Sequence, residues 1–382
     1  MPQDLAAPAT LVSPKEPTEA AVHGTALCLS GGGYRAMVFH LGALLYLNER
    51  GWLLKLDRIS SVSGGSITAA ALALHWKDLK FDSAGVATNF TDVVIAPVRK
   101  LASKTIDLGS IIKGILLPGS ISDRITAAYR SALFGDATLQ DLPERPRFVI
   151  NATSVQSGVL VRFSKPFIWD YRVGKIANPR RSLAEAVTAS SAFPPVLSPV
   201  TIDVSMEAFE PNTGDDLQFP PYTKTIVATD GGVYDNLGLE TAWKSFSCIL
   251  VSDAGGKTQA QPDPHADWAR HALRVNDIID NQVRSLRKRD LINAFTANER
   301  EGTYWGIRTD ISKYAAPSKL PCPEPKTLKL AETPTRLAAM PQLLQEQLIN
   351  WGYAVCDAAM RTHVDATLKA PAGFPYPGSG VG

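Results

Sequence analysis

Apolar residues in this chain fall in short runs that end in glycine. Thr25-Ala-Leu-Cys-Leu-Ser30 runs into Gly31-Gly32-Gly33, and Arg58-Ile-Ser-Ser-Val62 runs into Ser63-Gly64-Gly65. Further on, Thr225-Ile-Val-Ala-Thr229 runs into Asp230-Gly231-Gly232, and Cys248-Ile-Leu-Val-Ser252 is followed by Gly255 and Gly256. Short apolar runs bounded by glycine predict buried strands. Between the first two lies Ala36 to about Arg50, whose Leu41, Leu44, Leu45 and Leu47 surround much of a helix, with Gly51 as its stop. A second helix leaves the Ser63 turn through Ala69, Ala71 and Leu74. Strand, glycine turn, helix, repeated, predicts an α/β fold with a mostly parallel central sheet flanked by helices.

Residues from about Phe81 to Phe134 read as a helical insertion. It contains the apolar piece Ile106 to Pro118, suited either to a lid or membrane-contacting surface or to simple packing into the domain. A strand pair is predicted at Arg147–Ser154 and Val159–Phe163 across Gly158, then a short helix from Ser182 broken by Pro194 and Pro195. Two long helices close the chain. One carries Ala272, Val275, Ile279, Val283 and Leu286, and the other, from Pro341, carries Leu344, Leu348, Trp351 and Val355. The basic run Arg284 to Arg289 is expected on the polar side of the first, as a solvated face or a contact for an anionic membrane. Residues 1–22 show no periodicity and are expected to be a disordered arm. Residues 23–370 read as a single domain, and 371–382 as a loose Gly/Pro-rich tail.

Composition narrows the class. With 45% hydrophobic and 20% charged residues, the chain is that of a globular protein. A formal charge of +2 gives no electrostatic reason for a nucleic-acid partner. Cys28, Cys248, Cys322 and Cys356 form no CxxC pair, so reduced thiols are expected, with neither a disulfide framework nor zinc. No run of about 18 apolar residues suggests a membrane span. The first residues lack the basic start and apolar run of a secretory signal, which makes a cytoplasmic enzyme, peripheral at membranes at most, the expectation.

Three clusters carry chemistry. Ser30-Gly31-Gly32-Gly33-Tyr34-Arg35 joins a strand end to a helix, where outward amides and the helix N-terminus welcome an anion. Gly31, Gly33 and Ala36 also satisfy a dinucleotide fingerprint, but the next strand ends in Val62-Ser63 where an acidic residue would be wanted. The second cluster, Ser61-Val62-Ser63-Gly64-Gly65, is a serine on a sharp strand-to-helix turn. Ser61 stands where the nucleophile elbow normally has glycine. Helix capping is the bland alternative for such a serine. The third, Asp230-Gly231-Gly232, sets a carboxylate at a strand end, where turn or capping roles are the alternative.

In order and rough spacing, the Gly31–Arg35 turn, the Ser63 elbow and Asp230-Gly231-Gly232 resemble the patatin-like phospholipases. Asn151-Ala-Thr-Ser154 with Gly158 and Phe163, and Ala189-Ser-Ser-Ala-Phe-Pro194, resemble two further segments of that family. The likeness covers about residues 24 to 260. It implies a three-layer patatin-like sandwich and an acyl hydrolase working through a Ser63–Asp230 dyad and an acyl-enzyme. It also implies an oxyanion hole from the amides of Gly32, Gly33 and Tyr34, with Ser61, Gly64, Gly65, Gly231 and Gly232 shaping the turns. Arg35 is left between a phosphate head group and a loop anchor. The expected partners are a lipid ester and a membrane or micelle surface, without cofactor or metal, and with room for a homo-oligomer or an activating effector.

A triad would need a histidine. His265 and His271 and His363 follow Asp230, but in loop or helix contexts without catalytic character, and His40 is expected as a hydrogen-bonded core residue. The rival functions are an NAD-type oxidoreductase, from the glycine fingerprint, and a catalytically weak lipid or nucleotide sensor on the same fold.

Overall fold

The computed structural model describes residues 22–106 and 121–382. The expected N-terminal arm and nearly all of the apolar piece Ile106 to Pro118 lie outside the described residues. Ile106 itself is buried, its amide donating to Leu337 O at 3.0 Å.

The N-terminal half alternates β1 (Val22–Leu29), α1 (Gly33–Glu49), β2 (Leu56–Val62) and α2 (Gly64–Leu74). The insertion supplies α3 (Ala96–Ala102) and α4 (Ile121–Tyr129). Next come β3 (Arg147–Ser154), β4 (Leu160–Phe163), β5 (Phe167–Asp170), β6 (Gly174–Ala177) and α5 (Leu183–Ser190). Then follow β7 (Val200–Asp203), β8 (Thr225–Asp230), the single turn α6 (Gly232–Asp235), α7 (Glu240–Trp243) and β9 (Phe246–Asp253). The chain closes with α8 (Trp268–Thr296), β10 (Glu301–Gly306), α9 (Glu324–Ala331) and α10 (Gln342–His363).

These strands form one sheet in the order β10-β9-β1-β2-β3-β4-β5-β6, with β8 on β3 and β7 on β8. It is mixed: β10, β9, β1, β2 and β3 run parallel, while every pairing of β4 to β8 is antiparallel. The helices cover both faces. Helix α1 is almost entirely buried, as its all-round leucines predict, and it crosses α10 at Gly42 and Gly352. A Cβ on Gly42 would strike Ile349 O, and one on Gly352 would strike Phe39 O. Only glycine lets the two backbones come so close.

One pairing positions the chemistry. Strand β3 is longer than its neighbours, and β4 takes one of its sides over Ile150–Thr153. On the other side β2 pairs in parallel up to Val62↔Asn151, and β8 then pairs antiparallel from Ala152↔Asp230 onward. Two strands therefore meet end to end on the same side of β3. Their ends carry Ser63 and Asp230.

The tail departs from expectation. Asn350 of α10 donates to the carbonyls of Tyr376 (2.8 Å) and Gly380 (2.7 Å) and accepts from Tyr376 N (2.9 Å), and Val381 is buried. A polar group inside an otherwise apolar helix face satisfies the backbone of the tail and fixes it.

Candidate active site

After buried β2 the chain turns at Ser63 with φ 51° and ψ −121°. A non-glycine residue there is strained and persists only where its surroundings fix it. Ser63 N donates to Ser190 Oγ (3.0 Å), and Ser63 O accepts from Ser66 N (2.9 Å) as α2 begins. The neighbours must be glycine. A Cβ on Gly64 would strike the Gly33 backbone, and one on Gly65 would strike the carbonyls of Leu29 and Ser30. Ser61 is buried, donating to Val149 O (3.3 Å) and accepting from Ser66 Oγ (3.0 Å). Its hydroxyl is thus spent inside the turn.

Asp230 closes β8 and is buried. Oδ1 accepts from Gly232 N at 2.7 Å, while Oδ2 is buried without a hydrogen-bond partner. Burial pushes this carboxyl up to about 7, partly offset by the Gly232 amide and the Ser63 hydroxyl and reinforced by the charge of Asp280. Ser63 thus acts on the carboxyl, although no bond of full hydrogen-bonding geometry joins the two. A Cβ on Gly231 would strike Asn151 O, so this turn too needs glycine.

The tie between the two turns is Ser190, which the sequence placed only within a segment that resembles one of the family's. Its hydroxyl accepts from Ser63 N, donates to Asn151 O (2.6 Å) and lies 2.9 Å from Ser66 Oγ. Ser190 itself and the residue two places on also hold the Asp230 turn: Ser190 O accepts from Gly231 N (3.2 Å) and Ala192 O from Asp230 N (3.0 Å). Thr153 Oγ1 secures Asp230 O at 2.9 Å.

The glycine turn packs directly on the elbow. Among the described residues the amides of Gly32 and Gly33 find no acceptor. Tyr34 does not join them: its amide donates to Arg336 O at 3.2 Å, because the chain at Thr335–Arg336 lies over this turn. The expected oxyanion set therefore shrinks to Gly32 and Gly33. Arg35 is likewise not available to a head group. It is buried, and its guanidinium donates to the carbonyls of Ala331 (2.7 Å), Thr333 (2.8 Å) and Ala254 (2.7 Å). It anchors the α9–α10 connection and the loop after β9, through carbonyls and not a carboxylate. Replacing Arg35 with Met should cost about 3 kcal/mol or more, since buried carbonyls lose their donors. Urea midpoints check this, and a loss under ~1 kcal/mol would show that the anchor matters little.

His40 is buried between Ser252 Oγ (2.8 Å) and Ser30 O (2.9 Å), and burial lowers it to about 4. None of His40, His265, His271 and His363 bonds to Ser63 or Asp230 among the described residues. Asp235 accepts from the amides of Leu237 (3.1 Å) and Glu240 (2.7 Å). Asp253 is held by Lys288 (2.8 Å), Tyr304 (2.6 Å) and Gly255 N (2.8 Å), and these partners outweigh burial and keep it ionised. Among the described residues no group of three or more His, Cys, Asp or Glu could hold a metal.

A serine at positive φ thus sits on a strand-to-helix turn against the glycine turn, with a buried carboxyl at the end of the neighbouring strand. The model of the patatin-like phospholipase family matches residues 27–243, more than half of the chain. The chain belongs to the patatin-like phospholipase family. Of solved structures, human GIVD cytosolic phospholipase A2 with methyl gamma-linolenyl fluorophosphonate is 15% identical at a TM-score of 0.50, over 88% of this chain and 58% of that one. VipD from Legionella pneumophila is 16% identical at 0.36, over 90% and 67%, and the type III effector ExoU 14% identical at 0.32, over 90% and 53%. The likeness to the phospholipase A2 is one of fold, and the chain spans just over half of it. No curated protein sequence matches. In this patatin-like chain Ser63, Gly64, Asp230 and the 31–35 turn all fall inside the matched residues.

Proposed function

We propose that the protein is a serine acyl hydrolase that cleaves carboxylic esters of lipids, with Ser63 as nucleophile and Asp230 as base. The observation that carries this is the pairing of a serine at positive φ with a buried carboxyl whose Oδ2 is unpartnered. Ser63 Oγ attacks the acyl carbon and its proton passes to Asp230, which a proton affinity near neutrality suits. Charge developing on the carbonyl oxygen is met by the Gly32 and Gly33 amides, each donor worth about 3 kcal/mol in such a site. Asp230 returns the proton to the leaving alcohol, then takes one from the water that attacks the acyl-enzyme and hands it to Ser63 Oγ as the acid departs. Exposed apolar side chains lie close along the chain: Phe193 and Val196 follow the Ala192 carbonyl that holds Asp230, and Val233 follows the Asp230 turn. They suit an acyl chain.

A fluorophosphonate probe is expected to label Ser63 alone, with mass mapping of the adduct as readout. Ser66 and Ser190 are buried and engaged in hydrogen bonds, so an adduct on either would overturn the assignment. So would unlabelled protein that still cleaves p-nitrophenyl esters.

A further inference from the structure

Helix α8 turns its apolar residues to solvent. Over its 29 residues only Leu291 and Ala294 are buried. Trp268 is 84% exposed and Ile279 55%, and Val275, Ile278, Val283 and Leu286 are exposed too. At 3.6 residues per turn Trp268, Ala272, Val275, Ile279, Val283 and Leu286 share one face. The opposite face holds the helix to the domain with charge. Arg284 donates to Gly256 O (2.6 Å), Arg287 to Glu240 (3.1 Å), and Lys288 pairs with Asp253 (2.8 Å). Arg284, Arg287 and Lys288 of the basic run thus point inward, against expectation, while Arg289 stays exposed and the apolar stripe points out. This inverts an ordinary surface helix, and contiguous exposed apolar surface marks an interface.

Charge beside the stripe selects the partner. One flank of the helix carries Arg270, His271, Arg274 and Arg289 and no carboxylate of its own. Arg270 pairs with the capping Asp267 (2.5 Å), whereas Arg274 donates to a carbonyl, Gln259 O, and Arg289 is exposed. Ile278 carries apolar surface onto this flank, between Arg274 and Arg289, so apolar and cationic positions intermix as at a lipid interface and not as in the two-position seam of a helix pair. We propose that α8 docks along an anionic lipid surface, its apolar face seated at the acyl boundary and Arg274 and Arg289 at the phosphates. The inner side of the same helix reaches the turn that follows Asp230. Arg287 lies over the Tyr234 ring (5.7 Å), next to exposed Val233, and Asp280 acts on Asp230. Docking would bring the lipid to the catalytic turn. That last link rests on the lipid-ester reading, whereas binding itself needs no turnover.

The test is flotation of Ser63→Ala protein with phosphatidylcholine vesicles, with and without phosphatidylglycerol, beside sedimentation velocity without lipid. Protein should float with the phosphatidylglycerol vesicles. Ile279→Asp with Val283→Asp should weaken partitioning roughly tenfold or more. Arg274→Glu with Arg289→Glu should remove the preference for anionic vesicles. In an active background the Ile279→Asp, Val283→Asp protein should keep hydrolysis of soluble esters, which shows that it folds. Equal flotation of parent and apolar variant would overturn the proposal. So would a lipid-free dimer that these substitutions dissolve, since the stripe's occupant would then be a second copy. Failure of the hydrolase reading would appear instead as absent labelling of Ser63, with flotation unchanged.

Discussion

Ser63→Ala and Asp230→Asn are expected to abolish ester hydrolysis equally, each by roughly four orders of magnitude or more. Both act in the same proton transfer, so the double variant should be no worse than either single one. The wild-type rate should rise with pH and level off above about 7, because Asp230 must lose its proton to act as base. Alanine at His265, His271 or His363, and glutamine at buried His40, should leave most of the activity. Rates on one soluble ester over a range of pH, with circular dichroism to confirm folding, decide the matter. A histidine variant as inactive as Ser63→Ala would mean a triad, and the dyad reading would fall.

The residues that make this expectation possible were legible because the constraint on them is local. A sharp turn from strand to helix needs small neighbours, and Gly64, Gly65 and Gly231 each face backbone at a distance no side chain tolerates. The leucines of α1 likewise announce burial on all sides. Contacts across long sequence separations were not legible. Nothing in Tyr34 says that its amide is taken by Arg336, or in Arg35 that its guanidinium serves Ala331 and Thr333.

Beyond the expected β3–β4 pair, the antiparallel half of the sheet was hidden for the same reason. Strand β3 reads as a single strand, and only the register reveals that β2 and β8 share one of its sides. Helix α8 shows the converse failure. Its helical spacing was plain, but periodicity gives a face without saying whether the domain or something else covers it.

The same buried carboxyl that suits catalysis should make the fold less stable at high pH. In the unfolded chain Asp230 titrates near 3.8, and in the folded chain near 7, because burial penalises its charge. The folded state therefore binds more protons between these values. Stability from this group is fully present below about pH 4 and is lost as pH rises through about 7. Fully ionised, the buried carboxylate costs up to roughly 4 kcal/mol. Asparagine has no charge to bury. It can keep the bond from Gly232 N through its carbonyl and place its amide where Oδ2 now lacks a partner. Asp230→Asn should thus match the parent at about pH 4 and exceed it by several kcal/mol at about pH 8. Other buried carboxyls such as Asp170 and Asp235 shift both proteins alike and cancel in the difference. Ser63→Ala separates catalysis from stability. It removes the hydroxyl that eases ionisation of Asp230, so it should be as inactive as Asp230→Asn and yet gain nothing at high pH. Urea midpoints of all three proteins at both pH values give the answer. If Asp230→Asn is no more stable than the parent at about pH 8, Asp230 ionises without cost in the folded chain, and burial is not what tunes this base.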